Sequence, residues 1–352
     1  MKKVAILGDT LVGDDIFGIQ RFAYEILSEV DNINPPYEIA VIVPKHTKIK
    51  VHFKNIKIVK YGFFKNPFLW RQICFPLYCK MNHCISVDMT LGLPWIGCDI
   101  VCLHDCTYEL YDDNFRTIKD MLKRNSYLFR TKRLVQKAKK IVTVSNYSKK
   151  NLLDYYNIGE EKITVIYNSW QHFDRIDADY DILKRFFLND KDYYFSLGSG
   201  LRHKNIPWIL NAAKRNRQAF FVITGSDKFS NLYEKMNISD LSNVIYTGYL
   251  KDEEIKALMS RCVAFIFPSF CEGFGIPPLE ALACGANIIV SKSTCLPEIY
   301  GEAAVYLDPY DYNIDMDDYK RYPEKRDKSK VLSKYSWKIS AEKFLDVVNS
   351  IV

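Results

Sequence analysis

The strongest constraint on the fold is an alternation that runs through the chain twice. Short β-rich runs at residues 4–8, 39–43, 56–59, 100–103 and 141–144 are separated by helical patterns such as 20–30 and 118–138. A second series follows, with β-rich runs at 193–197, 220–224, 244–247, 264–267 and 287–290 and helical patterns at 207–215, 252–259 and 277–284. Strands that alternate with helices form parallel sheets, because a parallel connection needs a long crossover and a helix supplies it. Between the series lie residues 170–192, polar, rich in Asp and without clear periodicity, where a linker is expected. The 352 residues suffice for two ordinary domains, each with its own core. The expected architecture is α/β, two Rossmann-like domains facing each other across a cleft, with ligands at the carboxyl ends of the strands.

Composition narrows the setting. The 48% apolar and 26% charged residues are those of a soluble globular chain. The apolar run after Met1-Lys2-Lys3 ends at Gly8 and Asp9, too short for a signal-peptide core, so it reads as a first strand. No stretch approaches the roughly 18 apolar residues of a membrane span, and a cytoplasmic location is expected. The ten Cys never stand as C-x-x-C, which favours reduced, buried thiols over a disulfide framework or zinc cluster.

The net charge of +7 is unevenly spread: residues 116–140 hold ten Lys or Arg against one acid, Asp120. Such a block can in general bind nucleic acid or an anionic membrane surface, or is a solvated helix face; no nucleic-acid partner is expected here. Residues 61–81 are apolar, aromatic and basic, and fit either a buried helix or a surface that dips into a bilayer interface.

Four segments carry candidate chemistry. The β-rich run at 264–267 leads into Pro-Ser-Phe-Cys-Glu-Gly-Phe-Gly-Ile-Pro-Pro, residues 268–278. Gly273 and Gly275 let backbone approach a ligand, Pro277 and Pro278 suit a first helical turn, and the helix N-terminus offers N–H groups to a diphosphate. That dipole contributes only about 0.3–1 kcal/mol when exposed, so a cationic side chain should assist. Glu280 can accept from a ribose diol and Glu272 from sugar hydroxyls. The second segment, 195–205, is a strand, a Gly-containing turn and a helix opening, with Lys204 suited to neutralise a leaving diphosphate or merely solvated. The third, Phe17-Gly18-Ile19-Gln20-Arg21, opens a helix after the first strand. The fourth ends a strand on His104-Asp105, facing the ligand side; Asp105 is placed to orient the imidazole. Ser145, Ser148 and Asn168 read as helix caps or cleft residues.

Glu272 and Glu280 enclose seven residues, and the string from 268 to 286 resembles the E-x7-E signature of the family 4 retaining glycosyltransferases, which have the GT-B fold. The likeness continues through Leu296-Pro297-Glu298 and covers nearly the whole chain, weakest at 30–95 and 309–330. It implies an acceptor-binding domain at 1–170, a nucleotide-sugar-binding domain at 171–335 and a final helix, 336–352, crossing back to the first domain. It implies His104, Lys204 and Glu272 as catalytic residues. Gly18, Ser199, Arg202, Lys204, Gly273, Phe274, Gly275, Ile276 and Glu280 would bind the donor. The family has an Arg five positions before the Lys; Ser199 stands there, leaving Arg202 or Arg21 as substitutes. Phe17 replaces the family's first Gly, and Gly18 carries over.

The resemblance further implies transfer of a hexose or deoxyhexose, with retention, from a nucleoside diphosphate sugar to a saccharide acceptor. No metal and no cofactor are expected. GDP-mannose, dTDP-rhamnose and UDP-hexoses all fit as donors. By analogy the setting is O-antigen or capsule polysaccharide assembly on a lipid-linked acceptor, with peripheral attachment at the inner face of the membrane. A nucleotide-sugar 2-epimerase of the same fold, or a non-catalytic nucleotide-sugar-binding protein, stays open. A NAD-dependent oxidoreductase is weaker, because neither Gly-containing turn has the third Gly of G-x-G-x-x-G.

Overall fold

The computed structural model describes residues 2–13, 18–112, 115–198, 200–225, 241–320 and 327–351. The chain divides into two compact units, Met1–Asn168 with Ser336–Val352, and Ser169–Tyr335.

The first unit is built on a parallel sheet whose described strands are β1 (Lys3–Leu7), β2 (Glu38–Pro44), β3 (Lys57–Tyr61), β4 (Cys84–Asp88), β5 (Ile100–Cys102), β6 (Lys140–Thr143) and β7 (Ile163–Val165). Their order is β3-β2-β1-β4-β5-β6-β7, so the chain reverses its winding beside β1. Ala5 pairs with Ala40 on one side and Ser86 on the other. Residues 4–7 and 39–43 are buried throughout, which requires cover on both faces and explains the unbroken apolar runs. β4 and β7 were not anticipated. Cys-Ile-Ser-Val-Asp interrupts its apolar residues with polar ones, and β7 is only three residues long.

The helix Ile19–Ile33 buries Phe22, Ala23, Ile26, Leu27 and Val30, a stripe at helical spacing. The helix Trp337–Asn349 packs on it, with the Trp337 and Phe22 rings 6.4 Å apart. Ser340 Oγ donates to the Tyr167 carbonyl at 2.7 Å. Residues 67–81 are helical throughout, with a π turn at Trp70–Cys74. This segment divides the two expectations between its faces: Trp70, Cys74, Phe75 and Cys79 are buried, whereas Phe68, Leu69, Ile73, Leu77 and Met81 are 40 to 64% exposed.

The second unit has a parallel sheet of β8 (Tyr193–Leu197), β9 (Phe220–Thr224), β10 (Val244–Tyr246), β11 (Ala264–Phe267), β12 (Asn287–Ser291) and β13 (Ala304–Leu307). The order is β10-β9-β8-β11-β12-β13, which puts the reversal between β8 and β11. Residues 170–192 are not a loose linker. They form the short helices Gln171–Asp174 and Asp181–Arg185, bury Phe173, Ile182, Leu183 and Leu188, and are tied by Lys256 Nζ to the carbonyls of Phe173 and Ile176. Their apolar residues come singly or in pairs, which leaves no period to read in the sequence.

Candidate functional site

In the second unit, β8 and β11 are neighbours where the winding reverses, the position at which open α/β sheets bind ligands. After β11 the chain enters the helix Ile276–Ala283, with Pro277 and Pro278 in its first turn. Gly275 precedes it at φ +83, the left-handed region. A Cβ there would stand 2.9 Å from Leu296 Cδ2 and 3.3 Å from Phe267 Cε1. Conformation and space thus both require glycine. Tyr300 donates its hydroxyl to the Gly275 carbonyl. Gly273 and Phe274 are buried, and the Phe274 ring meets Tyr335 edge-on at 5.3 Å.

After β8 the chain makes a tight turn, Arg202–Lys204, and opens the helix Ile206–Arg215 from Asn205 at φ +50. This loop is stitched to the one after β11. Phe270 N–H donates to the His203 carbonyl at 2.7 Å, and Asn205 Nδ2 donates to the carbonyls of Pro268 (3.2 Å) and Pro309 (2.8 Å). Tyr312 donates its hydroxyl to Asn205 Oδ1 at 2.9 Å. The sequence marks Asn205 only as a helix start, so this hub was missed.

The stitching brings Lys204 and Glu272 together. Lys204 Nζ donates to Glu272 Oε1 at 2.7 Å and lies 5.2 Å from the centre of the Phe267 ring. Both side chains are mostly covered, so the pair is stronger than a fully solvated one and holds two opposite charges ready on adjacent loops. Arg202 is exposed on the same turn. Ser199 lies outside the described residues.

Glu280 is in the body of the helix Ile276–Ala283, and here the structure adds a residue that sequence reasoning missed. His172 Nε2 donates to Glu280 Oε1 at 2.7 Å, from a segment 108 positions earlier in the chain. A lone His in a stretch without period gives no signal.

In the first unit, Gly18 starts the helix Ile19–Ile33 at φ +46, ψ −104, a conformation suited to glycine. Phe17 lies outside the described residues. One turn on, Phe22 meets the His104 ring edge-on at 4.9 Å. His104 is buried, and burial holds its imidazole below the usual histidine range. Its Nε2 donates to the Met89 carbonyl at 3.1 Å. The neutral ring therefore presents Nδ1 as an acceptor.

Asp105 does not orient this ring. Its Oδ1 accepts from Thr107 N–H at 2.8 Å and so serves the following turn. The orienting group is the Met89 carbonyl, set by Asp88, which accepts from the N–H groups of Thr90, Gly92 and Leu93. Ser145 caps the helix Asn146–Tyr156 by accepting from Ser148 N–H at 3.0 Å, and Ser148 Oγ reaches the His104 carbonyl at 3.4 Å. Nearby, Glu109 is buried and accepts from the Tyr156 hydroxyl. Burial pushes its carboxyl up to about 7 against the tendency of that hydrogen bond.

Residues 181–331 match the family described as Glycosyl transferases group 1, and residues 99–169 match Glycosyltransferase Family 4. The O-antigen chain mannosyltransferase RfbU of Salmonella typhimurium is 28% identical over 240 residues, 67% of this chain and 61% of that protein. The O-antigen chain mannosyltransferase B of Escherichia coli is 30% identical over 185 residues, 49% of each. The chain thus spans about half to three fifths of the length of these two relatives.

Among solved structures, sucrose-phosphate synthase from Thermosynechococcus elongatus matches with a TM-score of 0.77 at 14% identity, over 100% of this chain and 99% of that one. HepE of Anabaena, solved with UDP-glucose, matches at 0.67 and 14% over the whole of both chains. Identities this low speak for the fold alone. The two family matches fall on successive Rossmann-like units, so the chain carries a Glycosyltransferase Family 4 domain and a Glycosyl transferases group 1 domain on the GT-B fold.

Proposed function

We propose that this protein transfers a mannosyl group from GDP-mannose to a saccharide acceptor carried on a lipid. The transfer proceeds with retention of anomeric configuration and without a metal ion. The observation that carries this reading is the Lys204–Glu272 pair, 2.7 Å apart on the loops after β8 and β11. Lys204 supplies the cation for the diphosphate, and the head of the helix Ile276–Ala283 supplies N–H groups. Glu280 accepts from the ribose and Glu272 from the sugar. In the first unit, His104 offers Nδ1 as an acceptor for a substrate hydroxyl. Attack comes from the leaving-group face through an oxocarbenium-like state, and the departing phosphate oxygen takes the acceptor proton. Mannose is favoured because both relatives are named mannosyltransferases.

A thermal-shift panel of GDP-mannose, dTDP-rhamnose and UDP-glucose, followed by transfer assays, tests the donor. Stabilisation by GDP-mannose is expected. A chain that ignores every nucleotide sugar, or a Lys204→Ala variant with full transfer activity, contradicts the proposal. Donor epimerised or hydrolysed without an acceptor would point to an epimerase instead.

The lipid side of the reading has its own support in the first unit. The exposed face of residues 67–81 is continued by Trp95, whose ring meets Phe68 at 6.0 Å. The helix Ile118–Lys137 adds Arg130 over the Phe68 ring at 6.0 Å and Arg133 over Phe129 at 5.7 Å. Apolar side chains rimmed by cations fit an anionic bilayer surface, where each Lys or Arg contributes about 1 kcal/mol. No helix of the described residues is long and apolar enough to cross a membrane, so the attachment proposed is peripheral. Co-sedimentation with phosphatidylserine vesicles at low salt is the assay. Equal recovery with neutral and anionic vesicles counts against it.

A further inference from the structure

We infer that His172 is a positioning residue for the nucleotide ribose: it fixes one oxygen of the Glu280 carboxylate so that the other is presented to the diol. The inference rests on the ribose-binding role of Glu280 proposed above.

The two partners differ in exposure. The His172 side chain is 2% exposed, and that of Glu280 is 14%. One end of the contact is sealed in the protein while the other reaches the surface. A carboxylate only accepts, so His172 Nε2 carries the proton and occupies Oε1. Glu280 Oε2 makes no hydrogen bond among the described residues. A glutamate left to itself turns freely about its last torsion, which has no sharp minima. Holding one oxygen removes that freedom before the ligand arrives, and ordering a side chain in advance spares the cost at binding.

The anchor must itself be fixed, and His172 lies on a four-residue helix, Gln171–Asp174, too short to be stable alone. Its neighbours supply the rigidity. Trp170 Nε1 donates to the Leu332 carbonyl at 3.0 Å, and Gln171 Nε2 to the Tyr335 carbonyl at 2.9 Å. Phe173 is buried, and Lys256 Nζ donates to its carbonyl at 2.8 Å and to that of Ile176 at 2.7 Å. The segment is thereby held on both sides of the residue that donates to Glu280.

The test compares the full chain with His172→Ala and His172→Gln by calorimetric titration with GDP and with 2′,3′-dideoxy-GDP. Wild type should prefer GDP. His172→Ala should lose roughly 3- to 10-fold in GDP affinity, the worth of one ordered side chain, with no change for the dideoxy nucleotide. His172→Gln, whose amide can donate to the same oxygen, should keep most of the preference. In turnover the Ala variant should raise the donor KM and spare kcat, because the ribose does not change during reaction. Equal losses for both nucleotides would mean that His172 merely supports the structure, and no loss would mean that Glu280 needs no hold; either result overturns the inference. A wild-type chain indifferent to the missing diol overturns the ribose role of Glu280 and takes the inference with it.

Discussion

Replacing Glu109 with Gln should stabilise the protein at pH 8 and remove a pH dependence that the wild type shows in mildly acidic solution. Glu109 is buried, and burial raises its carboxyl from an ordinary value of 4.5 to about 7. The folded state thus holds its proton more tightly than the unfolded chain does. Between those two values the unfolded chain has released the proton and the folded protein has not, so stability falls as pH rises through the window and levels off above about 7. The gap between 4.5 and about 7, at about 1.4 kcal/mol per pH unit, amounts to about 3 kcal/mol. Gln resembles the protonated acid. Its oxygen can keep accepting from Tyr156, and its amide takes the place of Oε2, which is buried without a partner among the described residues. A buried unpartnered donor costs about 1–3 kcal/mol, so the net gain at pH 8 should be smaller, at most about 2 kcal/mol. Urea unfolding of both proteins at pH 4.5 and pH 8 measures it. The advantage of Glu109→Gln should appear at pH 8 and shrink or reverse at pH 4.5. The reasoning is refuted if the difference between the two proteins is the same at both pH values.

Lys204→Ala should weaken GDP binding roughly 10- to 100-fold by titration, the range for a hydrogen bond to a charged group. Glu272→Gln should leave GDP affinity within about threefold while depressing transfer, since its proposed partner is the sugar; equal losses in both would show that the carboxylate serves the nucleotide through Lys204. Gly275→Ala must place a Cβ at φ +83 and 2.9 Å from Leu296 Cδ2, and should cost about 1–3 kcal/mol in thermal or urea unfolding. Gly18→Ala meets no atom within 4 Å among the described residues, so there it should cost mainly its backbone strain, about 1–3 kcal/mol.

The doubly repeated βα pattern was legible because fully buried parallel strands read as apolar runs, as at residues 4–7 and 264–267. Where a strand mixes Ser and Asp among its apolar residues, as in β4, the run disappears although the register with β1 remains. The segment 268–280 could be read in detail because its glycines, prolines and acids each answer a local demand, and Gly275 meets two demands at once. His172, Asn205 and the Met89 carbonyl could not be read. Each acts on a residue 15 to 108 positions away, or on two loops together, and neither composition nor period encodes such pairings. Asp105 failed for the converse reason: adjacency to His104 suggested a partnership, but a side chain that short is captured first by the N–H two residues on.

The hydrogen bonds joining the loops after β8 and β11 have a consequence for anyone recombining relatives of this protein. Because Phe270 is tied to His203, and Asn205 to Pro268, Pro309 and Tyr312, neither loop is an independent cassette. A donor loop exchanged alone inherits a neighbour cut for another shape, and its lysine or glutamate arrives out of line. The smallest unit that can be exchanged intact is residues 200–205 with 268–275, together with the partners of Asn205 at 309 and 312 and those of the second loop at Ser291, Ser293, Thr294, Cys295, Leu296 and Tyr300.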